Sequence, residues 1–579
     1  LQGCHRPLGA LGSGLFVLEG ASREEIGTKI TALENLLQDS AAISIDDLAQ
    51  RWYRLSPVAP AAALCLAAVA ADRAEPAGHL RCAAALLRHH DGADFSANLP
   101  VAQRDRVFFT GAALGRSGRI AFVFPGSGNH FAGMGRDLSA LWPEIYAAQE
   151  QNSSRLADQY LPNLFWNGAL PESIHDNHNA LVISHVAVCT ALHDLLRRFG
   201  LAPQLISGYS LGESAGLFSS GAWQERDAMV QRLFDSALFT HELAGECRAA
   251  RRVWGLPPAA SVDWLLGIIN RSAEQVKRIL AGRKQVYLLI INSYREVVIG
   301  GQRCQVEAVV KELDCHFIPL RGVTTVHCEV TRAVADDYRN LHLFRTTPPR
   351  GVDFYSCALA RKYPLTAANA ADAILAQALD TIDYPQVVEQ LYADGARIFL
   401  EVGPGSSCSR MIGSILEERP HLARSFCSPG QDATLQLLRL LAHCLAERVA
   451  IDLSPLYREA EPEAVVSSDR RPIHTCIGGT GFAAKLPPQR AVAAAQFSGQ
   501  KDYDRGDHRP EPVADPQAVP RPSRGSAQAA QVALPPGDGQ VCGFHAALSA
   551  SADAHAAYLS LATTLEQPLS QAIARQLAV

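Results

Sequence analysis

Residues 205–216 read LISGYSLGESAG, and the predicted fold is organised around them. Leu205 and Ile206 form an apolar run typical of a buried strand, and a helical pattern follows Ser210. Glycines on both sides of Ser210 permit a sharp turn and a close approach of neighbouring segments. A serine at such a turn is exposed, and the backbone N–H of Leu211 lies beside it at a helix N-terminus. The stretch predicts strand, tight turn and helix with Ser210 as a nucleophile; the alternative is an ordinary strand–helix turn.

Length and composition bound the fold class. The chain has 579 residues, of which 48% are hydrophobic and 19% charged, and this fits a globular protein of several structural units with large cores. The net charge of −5 is spread along the chain and gives no indication of nucleic acid or an anionic membrane surface as partner. No apolar run approaches the ~20 residues of a membrane span.

Cysteine usage and the start of the chain add two expectations. The 14 cysteines are scattered and contain no C-x-x-C pair, which argues against a zinc site or a disulfide framework. We therefore expect no metal and a cytoplasmic location. The chain begins with Leu and opens like the middle of a protein, so we expect a fragment of a longer polypeptide.

The first 112 residues are predicted to form a small α/β unit. Residues 14–19 indicate a strand and residues 61–69 a buried strand, although alanine weakens the second prediction. Residues 23–38 indicate a helix with Ser22 as N-cap. No cluster of side chains in this unit suggests chemistry.

Residues 118–135 read GRIAFVFPGSGNHFAGMG. Residues 120–124 are a continuous apolar strand, as expected at the centre of a parallel sheet. Gly126 and Gly128 shape a loop whose N–H groups can face an oxyanion or a phosphate. Because neither a P-loop motif nor a strict G-x-G-x-x-G is present, a nucleotide site is disfavoured. A long apolar helix over 179–200 then leads into the strand before Ser210, an order typical of an α/β parallel sheet.

The segment from about 264 to 320 is predicted to have a different order of elements: strand, helix, strand, strand, helix, strand. This βαββαβ order is that of a ferredoxin-like subdomain. The predicted elements cover residues 265–269, 272–280, 286–291, 296–300, 305–313 and 317–320. We expect the subdomain to be inserted into the larger sheet domain.

His327 follows this segment in the stretch GVTTVHCE at 322–329. A histidine there can reach back over the sheet to Ser210 and take its proton during attack. Chain position alone does not single it out among 19 histidines. A further strand at 398–401 ends in a Gly-Pro-Gly turn, which we expect at a sheet edge. This strand either orients His327 through a backbone carbonyl or is purely structural.

The C-terminal part is predicted to contain three segments. Residues 441–488 form a tail after the main domain. Residues 489–540 are rich in Pro, Gly and Ala and indicate a flexible linker. Residues 541–579 indicate a helical segment able to dock on a partner domain.

Four motifs in order now identify a family. FVFPGSGNHFAGMG, GYSLGES, the insertion ending in TTVH, and LEVGPGSSCSR together resemble the acyltransferase domain of fatty-acid and polyketide synthases. The resemblance implies an acyltransferase domain over 113–440, with a hydrolase-like large subdomain and the small subdomain at 255–322. It implies that residues 1–112 link a ketosynthase upstream to this domain. The tyrosine after Gly208 and the terminal F-H-x-x-L stretch are closer to polyunsaturated-fatty-acid-type synthases.

The resemblance also implies roles for single residues. Ser210 accepts the acyl group, His327 is the base, and the backbone N–H groups of Ser127 and Leu211 form an oxyanion hole. Substrate contacts are expected from Tyr209, Asn292, Val326 and Arg232. The acyl group arrives on coenzyme A and leaves on the phosphopantetheine of an acyl carrier protein, without a bound cofactor.

Two departures from the family bear on the acyl group. Members that take malonyl units carry an arginine 25 residues after the serine, where this chain has Asp235, so malonyl is disfavoured. Arg232 lies one helical turn earlier and is expected to reach the same face. The four residues ending in the histidine, 324–327, match neither the usual malonyl nor the methylmalonyl form. We therefore favour a non-carboxylated acyl chain.

Other functions stay open at this point. The same Ser–His pair can hydrolyse thioesters if water is the acceptor. The chain could also be a non-catalytic module that scaffolds a synthase, but the presence of both Ser210 and His327 argues against this. An unrelated α/β-hydrolase would usually place an acidic residue between the serine and the histidine, without an inserted βαββαβ unit.

Overall fold

The computed structural model describes residues 7–40, 43–59, 61–89, 98–166, 168–322 and 324–457. The predicted linker at 489–540 and the helical segment at 541–579 lie outside these residues, as does most of the tail at 441–488.

The first part is a three-stranded antiparallel sheet covered by helices, in the strand order β1-β2-β3. Its elements are β1 (Gly14–Gly20), α1 (Arg23–Asp39), α2 (Ile45–Leu55), β2 (Leu64–Ala70), α3 (Glu75–His89) and β3 (Val107–Phe109). The predicted cap is present, since the Ser22 side chain accepts a hydrogen bond from the Glu25 N–H. The strand expected at 61–69 begins three residues later than predicted.

A six-stranded sheet forms the centre of the molecule, with the order β11-β10-β5-β4-β13-β14. Its strands are β4 (Arg119–Phe124), β5 (Leu205–Gly208), β10 (Asp353–Ser356), β11 (Arg361–Lys362), β13 (Ala396–Glu401) and β14 (Leu422–Ser425). All neighbours are parallel except β10 and β11. The α/β prediction is confirmed. The prediction that the 398–401 strand lies at an edge is wrong, because β13 runs between β4 and β14.

Helices from the first half of the chain enclose this sheet. They are α4 (Arg136–Leu141), α5 (Glu144–Glu150), α6 (Leu156–Tyr160), α7 (Pro162–Phe165), α8 (His178–Arg198), α9 (Leu211–Ser219), α10 (Arg226–Asp235) and α11 (Arg248–Val253). Contrary to the expectation from sequence, α8 is long and apolar enough to cross a membrane by length and composition. However, 89% of its apolar window is buried in the protein, where it packs along α9. Its apolar surface thus belongs to the core.

A second sheet has the order β12-β7-β8-β6-β9. Its elements are β6 (Trp264–Ile269), α12 (Ala273–Leu280), β7 (Val286–Ser293), β8 (Glu296–Gln302), α13 (Arg303–Leu313), β9 (Phe317–Pro319) and β12 (Ile382–Asp383). The four strands from β6 to β9 pair with one another antiparallel. Buried aliphatic side chains of this sheet and its two helices form a separate small core.

The remaining helices return the chain to the large sheet. They are α14 (Ala335–Leu341), α15 (Ala367–Leu379), α16 (Tyr384–Ala393), α17 (Ser407–Leu416) and α18 (Ala433–Ala446). β12 pairs in parallel with β7, so the chain between α15 and α16 joins the second sheet. The C-terminus of α15 is thereby held where the two sheets meet.

Candidate active site

Ser210 occupies the turn between β5 and α9 with φ 54° and ψ −117°. This positive φ is strained for a residue with a side chain. The two flanking glycines explain how the turn closes. A Cβ on Gly208 would lie 2.0 Å from the carbonyl carbon of Gly212, and a Cβ on Gly212 would lie 2.0 Å from the Phe124 oxygen. Only glycine fits at either position, and the turn presents the serine hydroxyl at the N-terminus of α9.

The structure brings His327 to this hydroxyl: the distance from Ser210 Oγ to His327 Nε2 is 2.9 Å. His327 also has a positive φ, of 66°, and its N–H donates to the Ala378 carbonyl at 2.8 Å. Its Nδ1 lies 2.6 Å from the carbonyl oxygen of Gln377. Because a carbonyl only accepts, Nδ1 must carry the proton, and Nε2 is left to accept the hydrogen of the serine hydroxyl.

Burial sets the charge of this imidazole. Desolvation lowers the pKa of His327 to about 4, and the hydrogen bond to Gln377 opposes the shift only in part. The imidazole is therefore neutral near pH 7 and can act as a base. The imidazole is held in place by the C-terminal turn of α15, whose last carbonyls have no partner within the helix.

The predicted oxyanion hole consists of the backbone N–H groups of Ser127 and Leu211, and the surroundings of both groups are compatible with that role. Both residues line the same cavity as Ser210 and His327. Leu211 is the first residue of α9, so its N–H has no partner within the helix. Neither N–H donates a hydrogen bond to another residue in the part of the chain that the structure describes. Buried His185 fixes the loop before Ser127, since its Nε2 lies 2.7 Å from the Pro125 oxygen.

Tyr209 and Asn292 are neighbours, but only one of them faces the cavities. The Tyr209 hydroxyl donates to Asn292 Oδ1 at 2.6 Å, and Asn292 Nδ2 donates to Glu296 at 2.9 Å. Tyr209 lines the cavity between the sheets, whereas Asn292 lies behind it. Asn292 thus supports Tyr209, and its contact with substrate stays a prediction.

Arg232 and Asp235, the two residues singled out by the family pattern, are both engaged by other residues. Arg232 donates to the Leu343 carbonyl at 2.9 Å, and its guanidinium lies 4.2 Å from the centre of the Phe344 ring. Asp235 is exposed and accepts from Gln231 at 2.9 Å. Among the described residues, neither lines a cavity at Ser210. Neither side chain is therefore in direct contact with the cavities that meet at Ser210.

Two cavities meet at Ser210 and His327. The first, here called the apolar cavity, extends into the large-sheet half and is lined among others by Ser214, Phe218, Met229, Leu233, Val326 and Tyr338. The second, here called the interface cavity, lies between the two sheets and is lined among others by His130, His175, Tyr209, Leu266, Ile290 and Arg321. Val326 lines both cavities, and its contact with substrate stays a prediction. A group held at the serine can thus extend in two directions.

Sequence reasoning does not find Gln377. Its carbonyl holds His327, and its side-chain Nε2 donates to the Ser210 carbonyl at 3.2 Å. The residue lies 50 positions after the histidine, inside an alanine-rich helix. Because the role belongs to the main chain, no residue type signals it. The strand at 398–401 plays no part in this contact.

Metal chemistry has no support from the described residues. No group of three or more His, Cys, Asp or Glu side chains there could hold a metal ion.

Comparisons with known proteins agree with this geometry. The family model for the acyl transferase domain matches residues 121–424, just over half of the chain. A polyunsaturated fatty acid synthase polypeptide of Thraustochytrium sp. is 23% identical over 450 residues, which cover 72% of this chain and 21% of that protein. The chain thus spans about a fifth of the length of this relative. Malonyl CoA-acyl carrier protein transacylase of Bacillus subtilis is 24% identical over 306 residues, covering 51% of this chain and 90% of the relative.

Solved structures show the same fold. The acyltransferase domain from module 8 of the salinomycin polyketide synthase superposes with a TM-score of 0.61 at 17% identity, covering 78% of this chain and 100% of that domain. The acyl transferase domain of SpnD gives a TM-score of 0.57 at 16% identity, covering 77% of this chain and all of that domain. The resemblance found from the motifs is confirmed, and so is the prediction of an acyltransferase. The chain belongs to the acyl transferase domain family.

Proposed function

We propose that this chain moves an acyl group from a coenzyme A thioester to the phosphopantetheine thiol of an acyl carrier protein, through an ester on Ser210. The observation that carries the proposal is the 2.9 Å contact between Ser210 Oγ and His327 Nε2. A serine in a strained turn, beside a neutral buried histidine of fixed tautomer, is equipped for nucleophilic attack.

The first half-reaction loads the serine. His327 Nε2 takes the hydroxyl proton while Ser210 Oγ attacks the thioester carbonyl. The carbonyl oxygen becomes an oxyanion facing the N–H groups of Ser127 and Leu211, where each donor contributes about 3–4 kcal/mol. The C–S bond then breaks, and the coenzyme A sulfur leaves with the proton that His327 held. The product is an ester of Ser210.

The second half-reaction empties the serine by the same steps in reverse. The pantetheine thiol gives its proton to His327 and attacks the ester carbonyl. The C–O bond breaks, and Ser210 Oγ recovers the proton. Because one donor leaves before the acceptor enters, the kinetics are ping-pong.

The architecture and setting form a second part of the proposal. We assign the large sheet to a hydrolase-like subdomain and the βαββαβ unit within 255–322 to a ferredoxin-like one, together forming the domain at 113–440. Residues 1–112 would link it to an upstream ketosynthase, in keeping with the match to part of a much longer synthase polypeptide. A cytoplasmic setting is supported by the described cysteines, which are all free thiols.

Intact-protein mass spectrometry with acyl-CoA, followed by addition of pantetheine, tests the reaction. We expect a covalent acyl adduct that maps to Ser210 and is discharged as acyl-pantetheine. Ser210→Ala should abolish the adduct, whereas Ser220→Ala, which removes a hydroxyl that donates to the Leu217 carbonyl and accepts from the Ala222 N–H, should not. Discharge mainly as free acid in the presence of pantetheine would identify a hydrolase. Adduct formation in Ser210→Ala would refute the assigned nucleophile.

A further inference from the structure

The apolar cavity follows one side of helix α9. Ser210, Ser214 and Phe218 all line it, and they are spaced i, i+4 and i+8. Residues at this spacing share one face of a helix. At 1.5 Å per residue, Phe218 lies about 12 Å along the helix from the serine. The cavity is therefore elongated, with the nucleophile near one end and a phenylalanine ring at the other.

The walls carry no formal charge near neutral pH from acidic or strongly basic side chains. None of the described lining residues is Asp, Glu, Lys or Arg. Helix α10 contributes Met229 and Leu233, whereas Arg232 between them is not a lining residue: its guanidinium lies over the outer side of the wall, 4.2 Å from the centre of the Phe344 ring, and donates to the Leu343 carbonyl. A carboxylate buried here would lose its hydration without gaining an ion pair, which is strongly unfavourable.

Histidines are the remaining groups that could supply a positive charge. His342 lines the apolar cavity and shares a 2.8 Å hydrogen bond between its Nδ1 and the Tyr338 carbonyl. Burial, with a smaller contribution from the nearby Arg232 guanidinium, lowers the pKa of His342 to about 4, so its imidazole is neutral near pH 7. His178 lines both cavities close to their junction, and it is tested below.

An aromatic cluster closes the far end. Phe218 packs against Trp223 and Phe344, with ring centres 5.2 Å and 5.3 Å away, and those two rings are 4.9 Å apart. On its other side, Phe218 lines a further cavity that Ser219 and Arg226 also line. The Phe218 ring thus separates the apolar cavity from a more polar one.

We propose that the apolar cavity binds an uncharged, straight acyl chain of about eight carbons, with Phe218 setting its maximum length. The proposal rests on the acyl transfer proposed above and names its substrate class. An extended chain advances about 1.2 Å per bond, so the ~12 Å between Ser210 and Phe218 fits about eight to ten carbons. The thiol-bearing arm then occupies the interface cavity, the second direction available at Ser210.

The test is competitive loading of the whole chain with a series of acyl-CoA and acyl-pantetheine thioesters. Acetyl, butanoyl, hexanoyl, octanoyl, decanoyl, dodecanoyl and malonyl groups are offered in pairs, and the adducts are counted by intact mass. We expect octanoyl to load at least about tenfold faster than malonyl, because a lost charge-assisted hydrogen bond has that effect. The rate should fall steeply beyond decanoyl.

Phe218→Ala provides the length test, with Phe218→Leu as the milder variant if the first does not fold. Opening the barrier to the next cavity should move the optimum to longer chains by two or more carbons and leave malonyl loading unfavoured. Unchanged chain-length preference in a folded variant would overturn the role of Phe218.

The outcomes separate this inference from the underlying function. Preferential malonyl loading on Ser210 would overturn the substrate class while supporting acyl transfer, and loss of that preference in His178→Ala would identify the histidine as its partner. No adduct with any thioester would refute the proposed function and this inference with it.

Discussion

The Gln377 carbonyl oxygen lies 2.6 Å from His327 Nδ1, and it is the main-chain group that fixes the histidine's tautomer. The carbonyl belongs to the last turn of α15, where helix carbonyls lack intrahelical partners and the helix dipole is negative. The neighbouring Ala378 carbonyl accepts the His327 N–H at 2.8 Å. A helix end thus orients the base, without a side-chain carboxylate in direct hydrogen bond to the ring.

Replacing the Gln377 side chain should therefore have a limited effect. In Gln377→Ala the carbonyl that holds His327 remains, and only the 3.2 Å bond from Nε2 to the Ser210 carbonyl is lost. A neutral hydrogen bond contributes about 0.5–1.5 kcal/mol, so we expect kcat/KM to fall about two- to tenfold. His327→Ala should cost about 10²–10⁴-fold, because it removes the base. Equal losses in the two variants would show that the Gln377 side chain itself orients the base.

The pH midpoint on the acid side of the pH–rate profile should be well below the value that an ordinary histidine would give. His327 has to be neutral to take the serine proton, and burial lowers its pKa to about 4. Loading of Ser210 should therefore stay constant from pH 7 down to about pH 5 and decline as the pH falls through about 4. Single-turnover adduct formation at each pH, with circular dichroism to confirm the fold, gives the profile. A midpoint near 6.5 would contradict the buried, neutral imidazole.

Two glycine-to-alanine substitutions should have opposite effects on the stability of the fold. In Gly212→Ala the new Cβ would lie 2.0 Å from the Phe124 oxygen, so the strand–turn–helix connection must distort and little folded, active protein is expected. Gly413 lies within α17 with no atom within 4 Å of an added Cβ. Gly413→Ala should stabilise the protein by up to about 1 kcal/mol and preserve activity. Soluble yield, urea midpoint and loading rate compare the two, and a folded, fully active Gly212→Ala would disprove the steric argument.

The strand–Ser210–helix unit and the βαββαβ order can be predicted from the sequence because local patterns specify them. Alternating glycines around one serine and apolar runs of fixed length are sufficient for that. The environment of Arg232 cannot be predicted, since its direction depends on Phe344, a residue more than 100 positions away. The contact between Gln377 and His327 escapes prediction for a different reason: a backbone carbonyl has the same chemistry in every residue type. From the sequence, the strand at 398–401 is a candidate for orienting His327 only because it ends in a glycine turn.

A buried histidine remote from the site should make stability sensitive to acid. His443 packs against Phe108 with ring centres 4.9 Å apart, and burial beside Arg424 lowers its pKa to about 3. The unfolded chain binds this proton near pH 6.5, whereas the folded chain does so only near pH 3. The stability contributed by the neutral ring is thus complete above pH 6.5 and is lost progressively as the pH falls toward 3. Between pH 7.5 and pH 5 this one group should lower the free energy of unfolding by about 2 kcal/mol.

Urea unfolding at both pH values tests this. The loss of unfolding free energy between pH 7.5 and pH 5 should be smaller for His443→Phe than for the unsubstituted chain, with the same change at exposed His316 as control. Because the comparison is a difference of differences, any packing change that is independent of pH cancels. Equal pH dependence in His443→Phe and the unsubstituted chain would mean that the folded protein and the unfolded chain bind this proton in the same pH range, so that folding does not lower the pKa of His443.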